Sequence, residues 1–152
     1  MLRHTVATLA YRGGKVVSNV PQGFANFRIT PSSRTAGQIL AHIGDLLDWA
    51  LCLAKGKHEW HESKPLEWDQ EVDRFFHGIK SFDDYLASSL PLGYSEERLF
   101  QGPVADALTH VGQIAIFRRA AGAPVKGENY FKAEILAGRV GPDQSTKRVE
   151  FD

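Results

Sequence analysis

The chain has 152 residues, of which 43% are hydrophobic and 24% are charged, and these values are typical of a folded globular domain. Eighteen Lys and Arg residues balance eighteen Asp and Glu residues, so the formal net charge is zero. A neutral chain without a basic run argues against nucleic acid or an anionic membrane as the main partner.

Cysteine content and hydropathy narrow the class of protein further. Cys52 is the only cysteine, which excludes an intrachain disulfide and any zinc site built from cysteines. The chain shows neither a charged-then-apolar signal at its start nor an apolar run of about 18 residues. We therefore expect a soluble, cytoplasmic protein.

Residues 2 to about 19 place apolar side chains close to helical spacing and predict a first helix. Gly13 and Gly14 interrupt it, and each costs roughly 1 kcal/mol relative to alanine. Close approach of another helix, or a local kink, would explain why they are tolerated. Pro21 ends the helix, and residues 21–33 form a long connection whose aromatic side chains are expected to hold it across the bundle.

The second predicted helix has a well-defined start. Thr35 and Gln38 match a capping box, in which each side chain satisfies the other residue's free backbone N–H group. Gly56 is a suitable end. Between them lies a stripe at helical spacing that is apolar except for one histidine: Ile39, His42, Ile43, Leu46, Ala50 and Leu53.

Two further helices are predicted after a polar loop. Residues 57–66 include His58 and His61, which we interpret as loop residues and not as a metal pair. A third helix is predicted from about 67 to 89, with His77 exposed. Its buried stripe is Val72, Phe75, Phe76, Ile79, Phe82 and Leu86.

A second connection, residues 91–102, precedes the fourth predicted helix, which has Pro103 in its first turn and stops at Gly122. Beyond it we expect a short helix at 131–137 and a polar tail, and no stretch alternates like a strand. Four amphipathic segments must bury their stripes against one another, which predicts an all-α four-helix bundle. We expect one domain over residues 1–152, with the last 20 or so residues as loop and tail.

The chemistry of the sequence centres on the fourth helix. Asp106 and His110 are four residues apart, so they stand one above the other on the same helix face. If helices two and four are adjacent, His42 can approach this pair, and two imidazoles with one carboxylate form a common three-ligand set for a divalent metal. Alternatively, His42 is a hydrogen-bonded core histidine, and Asp106 is a helix-start residue favoured by the dipole.

Two stretches carry a family resemblance, and they occur in the order Arg34-Thr-Ala-Gly-Gln-Ile-Leu-Ala-His42-Ile-Gly-Asp-Leu-Leu-Asp-Trp49, then Thr109-His110-Val-Gly-Gln113-Ile with Arg118-Arg119 and Gly122. Together they resemble the DinB-like superfamily over nearly the whole chain. The resemblance implies an up-down-down-up bundle with long connections, often a homodimer.

The resemblance also implies a site for nickel, zinc or a similar ion. Its ligands are one histidine on helix two and a His-x-x-x-His pair on helix four, which places His42 first and His110 last. Asp106 stands where the family has its middle histidine. A carboxylate there should weaken the Lewis acidity of the metal and favour harder ions such as Mn or Fe. Gln113 could hydrogen-bond a bound ligand or only cap a polar pocket.

Several functions agree with such a site. The resemblance implies a thiol-dependent transferase or isomerase that uses a low-molecular-weight thiol and acts on a small-molecule substrate, and the same metal could serve a hydrolase. A non-catalytic dimeric bundle with a structural or lost metal site is the alternative. Four basic residues could bind the carboxylates of an acidic thiol, or could only keep the surface soluble: Arg118, Arg119, Lys126 and Lys132.

Overall fold

The computed structural model describes residues 1–151 and confirms an all-α four-helix bundle. Its elements are α1 (Leu2–Val17), a 3₁₀ turn (Phe24–Asn26), α2 (Ala36–Ala54), α3 (Trp68–Ala87), α4 (Glu96–Leu99), a π-helical segment (Phe100–Val104), α5 (Ala105–Ala120), β1 (Gly127–Glu128) and β2 (Glu150–Phe151). One hydrophobic core draws side chains from every α-helix. Residues 57–66 form a loop and His77 is exposed, as predicted.

Contacts at the helix ends fix the direction of α1, α3 and α5. The guanidinium of Arg118, near the end of α5, donates hydrogen bonds to the carbonyls of Val16 and Asn19, so α1 and α5 end together and run parallel. Trp68, the first residue of α3, donates its indole N–H to the carbonyl of Val17, the last residue of α1. α3 therefore runs antiparallel to α1.

The neighbouring helices α2 and α3 are parallel, which completes the up-down-down-up order. Arg74 of α3 donates to the carbonyl of Ala41 in α2, and further along both helices Gly78 lies against Leu47. Because α2 and α3 point the same way, the chain between them must return along the length of α2. That return loop, residues 55–67, is fixed by a hydrogen bond from the Ser63 N–H to the Asp45 carboxylate.

The glycines of α1 allow close helix contact. A Cβ atom at Gly13 would lie 2.3 Å from Cζ of Phe75, and one at Gly14 would lie 3.1 Å from Cζ of Phe76. Phe75 is fully buried, so the ring has little room to move. Close approach of α3 therefore explains the two interruptions in the apolar pattern.

The fourth helix begins earlier than predicted. The helical chain starts at Glu96, after an N-cap at Ser95, and continues without a break through the π-helical segment into α5. Pro103 therefore lies inside the helix and not in its first turn. A proline ring has no N–H and clashes with the carbonyl four residues back, and the wider π turn relieves that clash.

The C-terminal segment also differs from the prediction. Residues 131–137 form turns, because so short a segment without a buried stripe does not nucleate a helix. The strands β1 and β2 pair antiparallel. They were not predicted, because no stretch of the sequence alternates between apolar and polar residues as a strand does. Tyr11 and Lys15 of α1 both hydrogen-bond to the buried carboxylate of Glu128 in β1, and these contacts hold the segment against the bundle.

Candidate metal centre between α2 and α5

The three predicted ligands are brought together by two antiparallel helices. His42 lies in the second turn of α2, whose start is fixed by the predicted capping box between Thr35 and Gln38. Asp106 and His110 lie one turn apart on the face of α5 that meets α2. One ligand atom from each of the three residues lies within 4.8 Å of the other two.

The carboxylate of Asp106 lies between the two imidazoles. Its Oδ1 is 3.4 Å from Nε2 of His110, and its Oδ2 is 3.9 Å from Nε2 of His42. The two imidazole rings meet edge to face, with centroids 4.8 Å apart. Both histidine side chains are largely buried, whereas 49% of the Asp106 side chain is exposed, so the group opens to solvent on the carboxylate side.

Gln113 orients the ring of His110. Its Oε1 lies 2.8 Å from Nδ1 of His110, and because an amide oxygen only accepts, Nδ1 carries the proton. In this tautomer Nε2 is unprotonated and faces the Asp106 carboxylate, so a cation between the two groups would relieve their repulsion. A histidine that ligates a metal typically donates its other N–H to such an acceptor.

The electrostatic environment keeps His42 in the neutral form that ligates metals. Burial, the neighbouring His110 and Arg34 lower the pKa of His42, and they outweigh the carboxylates of Asp106 and Asp45, which act in the opposite direction. A neutral imidazole presents a free lone pair.

The position of Asp106 in the helix argues against a dipole role. The dipole effect is confined to the first turn, and Asp106 lies eleven residues beyond the Ser95 cap. Within residues 1–151, the cationic or ionisable partners within 4.0 Å of its carboxylate are His42 and His110. The partners of this carboxylate are therefore the two imidazoles and not a helix dipole.

Two tryptophans flank the ligand group, and sequence reasoning did not assign them a role in the site. Trp60, on the return loop, packs edge to face against His42 with centroids 5.6 Å apart, and Trp49 packs against Trp60 at 5.8 Å. The indole N–H of Trp49 is buried and has no acceptor among the described residues. Because α2 and α3 are parallel, the loop runs back along α2, and this direction could not be read from local sequence.

Two cavities lie along α2, and of the three ligands only His42 lines either of them. One, of about 230 Å³, is lined by Trp49, His58, Tyr94 and Arg98 together with the π-helical segment. The other, of about 110 Å³, includes His42 and lies under the return loop. A larger cavity, about 420 Å³, lies between the N-terminus and α4 and contains none of the three ligands.

The basic residues considered as binding groups for an acidic thiol do not converge on this site. Arg118 is buried and donates to four main-chain carbonyls, of Ala123, Val16, Ser18 and Asn19. Arg119 and Lys132 are exposed, and Lys126 lines a different cavity. Among the described residues, two cations without a carboxylate within 4.0 Å line the cavities along α2: Arg34 in the cavity that includes His42, and Arg98 in the cavity beside Trp49. Sequence reasoning assigned neither of them a role in binding.

Comparison with protein-family models, with curated proteins and with solved structures gives no match for this chain. None of the helices within residues 1–151 has both the length and the apolar character needed to span a membrane. The structure thus defines a class, an all-α four-helix bundle with a His/Asp group between α2 and α5 that could hold a metal ion.

Proposed function

We propose that this protein is a DinB-like enzyme that binds a divalent transition metal and acts on a small molecule. The observation that carries the proposal is the convergence of His42, Asp106 and His110, with the His110 ring held by Gln113. The up-down-down-up helix order agrees with the fold that the resemblance implies.

The spacing of the donor atoms suits a metal ion. Ligand atoms around a tetrahedral or octahedral ion lie about 3.0–3.4 Å apart, given metal–ligand bonds of about 2.0–2.2 Å. The Asp106–His110 distance of 3.4 Å already meets this requirement. The three ligand atoms together lie within 4.8 Å of one another, so the widest separation would have to shorten by about 1.5 Å when an ion binds. The carboxylate favours Mn or Fe more than three histidines would, alongside Ni and Zn.

The side chains around the group have separable roles. When bound, a divalent ion would lower the pKa of a thiol or water that it binds and so supply a nucleophile at neutral pH. Trp60 and Trp49 shield the imidazoles from solvent, and Arg98 places a positive charge on the wall of the neighbouring cavity. These features favour a thiol-dependent transferase or isomerase, or a metal-assisted hydrolase, with an anionic group on the substrate or thiol.

Metal content tests the proposal directly. Protein purified without an affinity tag and offered Mn, Fe, Ni and Zn should hold close to one ion per chain by elemental analysis. Asp106→Ala should weaken affinity by more than about 100-fold, because even a residue that only orients a ligand costs 10–100-fold when lost. His77→Ala, which removes an exposed histidine of α3, is the matched control and should leave affinity unchanged. Near-zero occupancy with all four metals, or equal effects of the two variants, would overturn the assignment.

The type of reaction requires a second measurement. In cobalt-substituted protein, a low-molecular-weight thiol should change the visible spectrum if the enzyme is thiol-dependent. Unchanged bands with several thiols, together with turnover of simple esters or amides, would assign the hydrolase instead. The homodimer that the resemblance implies stays a prediction, and light scattering of the purified protein tests it.

A further inference from the structure

A further polar cavity lies at the C-terminal end of α5, away from the His/Asp group near its start. It has a volume of about 390 Å³ and is enclosed by the end of α1, the end of α5 and the C-terminal segment. Its walls carry the cationic side chains of Lys15, Arg118, Lys126 and Arg148, against the single carboxylate of Glu150. None of the proposed metal ligands lines it.

Carboxylates neutralise one of these cations. Nζ of Lys15 lies 2.8 Å from the carboxylate of Glu128 and 2.8 Å from that of Glu150. Both acidic groups are thereby committed to Lys15, and the four cations and two carboxylates leave a formal net charge of +2 around the cavity. The remaining three cations have no carboxylate within 4.0 Å among residues 1–151.

Arg118 is the most deeply buried of the three, with 6% of its surface exposed. Its hydrogen-bond partners are carbonyls at the end of α1, where the helix dipole is equivalent to only about half a negative charge. The carbonyl of Ala123 at the end of α5 accepts a further hydrogen bond, so helix-end carbonyls and no carboxylate balance this guanidinium. Burial accordingly lowers the pKa of Arg118.

Arg148 and Lys126 retain unused hydrogen-bonding capacity. Nη1 of Arg148 is buried and has no acceptor within the described part of the chain, although the guanidinium stacks over the ring of Tyr11 at 4.4 Å. A buried donor without an acceptor costs roughly 1–3 kcal/mol, so an acceptor supplied by a ligand would be favoured. Lys126 is exposed at the rim and can turn towards the cavity.

We propose that this cavity binds a compact dianion, either a phosphate monoester or a dicarboxylate. The guanidinium of Arg148, the ammonium of Lys126 and the one N–H of Arg118 that has no acceptor supply charge-assisted donors to an oxyanion. Guanidinium geometry matches phosphate and carboxylate oxygens. The site is separate from the proposed metal centre: eight residues of α5, about 12 Å along the helix axis, separate His110 from Arg118. Its ligand binds whether or not a metal is held between α2 and α5.

Calorimetric titration of the full chain with inorganic phosphate and with succinate tests the proposal. Binding of either probe supports the site, and the stronger probe identifies the class of dianion. Lys126→Gln should weaken binding about tenfold, the value of one charge-assisted hydrogen bond. Lys132→Gln is the matched control, since it removes the same charge from an exposed side chain outside the cavity.

Two further variants locate the binding site. Arg148→Gln should also weaken binding about tenfold, and Arg148→Lys should restore part of it, with circular dichroism confirming that both variants are folded. His110→Ala should leave phosphate binding unchanged. The proposal is overturned if neither probe binds at millimolar concentration, if Lys126→Gln and Lys132→Gln behave alike, or if His110→Ala abolishes binding.

Discussion

Replacing Gly13 with alanine should destabilise the bundle. The added methyl group would lie 2.3 Å from Cζ of Phe75 and 3.1 Å from two further ring atoms, whereas carbon atoms pack about 3.5–4.0 Å apart. The ring must therefore move by more than about 1 Å in a site where it is fully buried. Overpacking of this kind costs about 1–3 kcal/mol, and a 2.3 Å contact belongs at the upper end of that range.

Alanine also gains about 1 kcal/mol of helix propensity relative to glycine, so the net loss from Gly13→Ala should be about 2 kcal/mol. For a chain of this length that loss corresponds to a fall in Tm of roughly 4–8 °C. The matched control is Gly112→Ala in the middle of α5, where an added Cβ meets no atom within 4 Å. That variant should gain about 0.5–1 kcal/mol and raise Tm by roughly 1–4 °C.

Thermal and urea unfolding followed by circular dichroism measure both variants. Opposite signs for the two substitutions are required, because both gain the same helix propensity and only Gly13→Ala introduces the contact with Phe75. If both variants raised Tm, α1 and α3 would be further apart than described. The explanation for the interrupted apolar pattern of α1 would then be wrong.

Gln113→Leu should reduce metal affinity about 10–100-fold, because it frees the His110 ring to rotate. The stability of the metal-free protein should change by no more than about 0.5 kcal/mol. Calorimetric titration with Zn measures the affinity, and Gln113→Glu, which keeps an acceptor, should restore it. Glu128→Gln should destabilise the fold by about 1–3 kcal/mol at pH 7, because it weakens the charge-assisted hydrogen bonds from Lys15 and Tyr11 while Glu150 stays paired with Lys15. Burial raises the pKa of Glu128, but hydrogen bonds from Lys15 and Tyr11 outweigh burial and hold it below the ordinary 4.5. The stability that the wild-type carboxylate contributes is therefore complete above about pH 4.5, and it is lost as the pH falls through the pKa of the folded state. The urea unfolding midpoints of the wild type and the variant should converge in acid and stay apart at neutral pH.

Much of the helical framework could be predicted because local patterns determine it. The capping box at Thr35 and Gln38 and the breaks after Val17 and Ala87 are local features, and the helix bounds follow them within about two residues. His42 was identifiable because a single polar side chain on an otherwise apolar helix face requires a polar partner in the neighbouring element. The same reasoning placed Asp106 and His110 on one helix face.

The rest depends on contacts between distant parts of the chain. The strands β1 and β2 are two residues each, and their carboxylate anchor, Glu128, finds its partners more than a hundred residues earlier in α1. Trp60 reaches His42 only because α2 and α3 run parallel, and helix direction is a property of the assembled bundle. No local pattern distinguishes a return loop that covers a site from one that projects into solvent.

The π-helical segment shows why helical periodicity alone assigns the wrong face to the residues that precede the site. A π turn inserts one extra residue, which rotates the helix that follows by about 100° relative to the helix that precedes it. A single 3.6-residue period carried back from α5 therefore assigns the wrong face to residues before Pro103. With the shift, Gly102 lies against Trp49 while Asp106 still faces His42.

Removing the shift, as Pro103→Ala would allow, should rotate α4 relative to α5, open the Trp49 cavity and leave the spacing of Asp106 and His110 intact. Zinc affinity measured by calorimetric titration should then stay close to the wild-type value, and a loss as large as that of Asp106→Ala would show that the segment before Pro103 also positions the ligands.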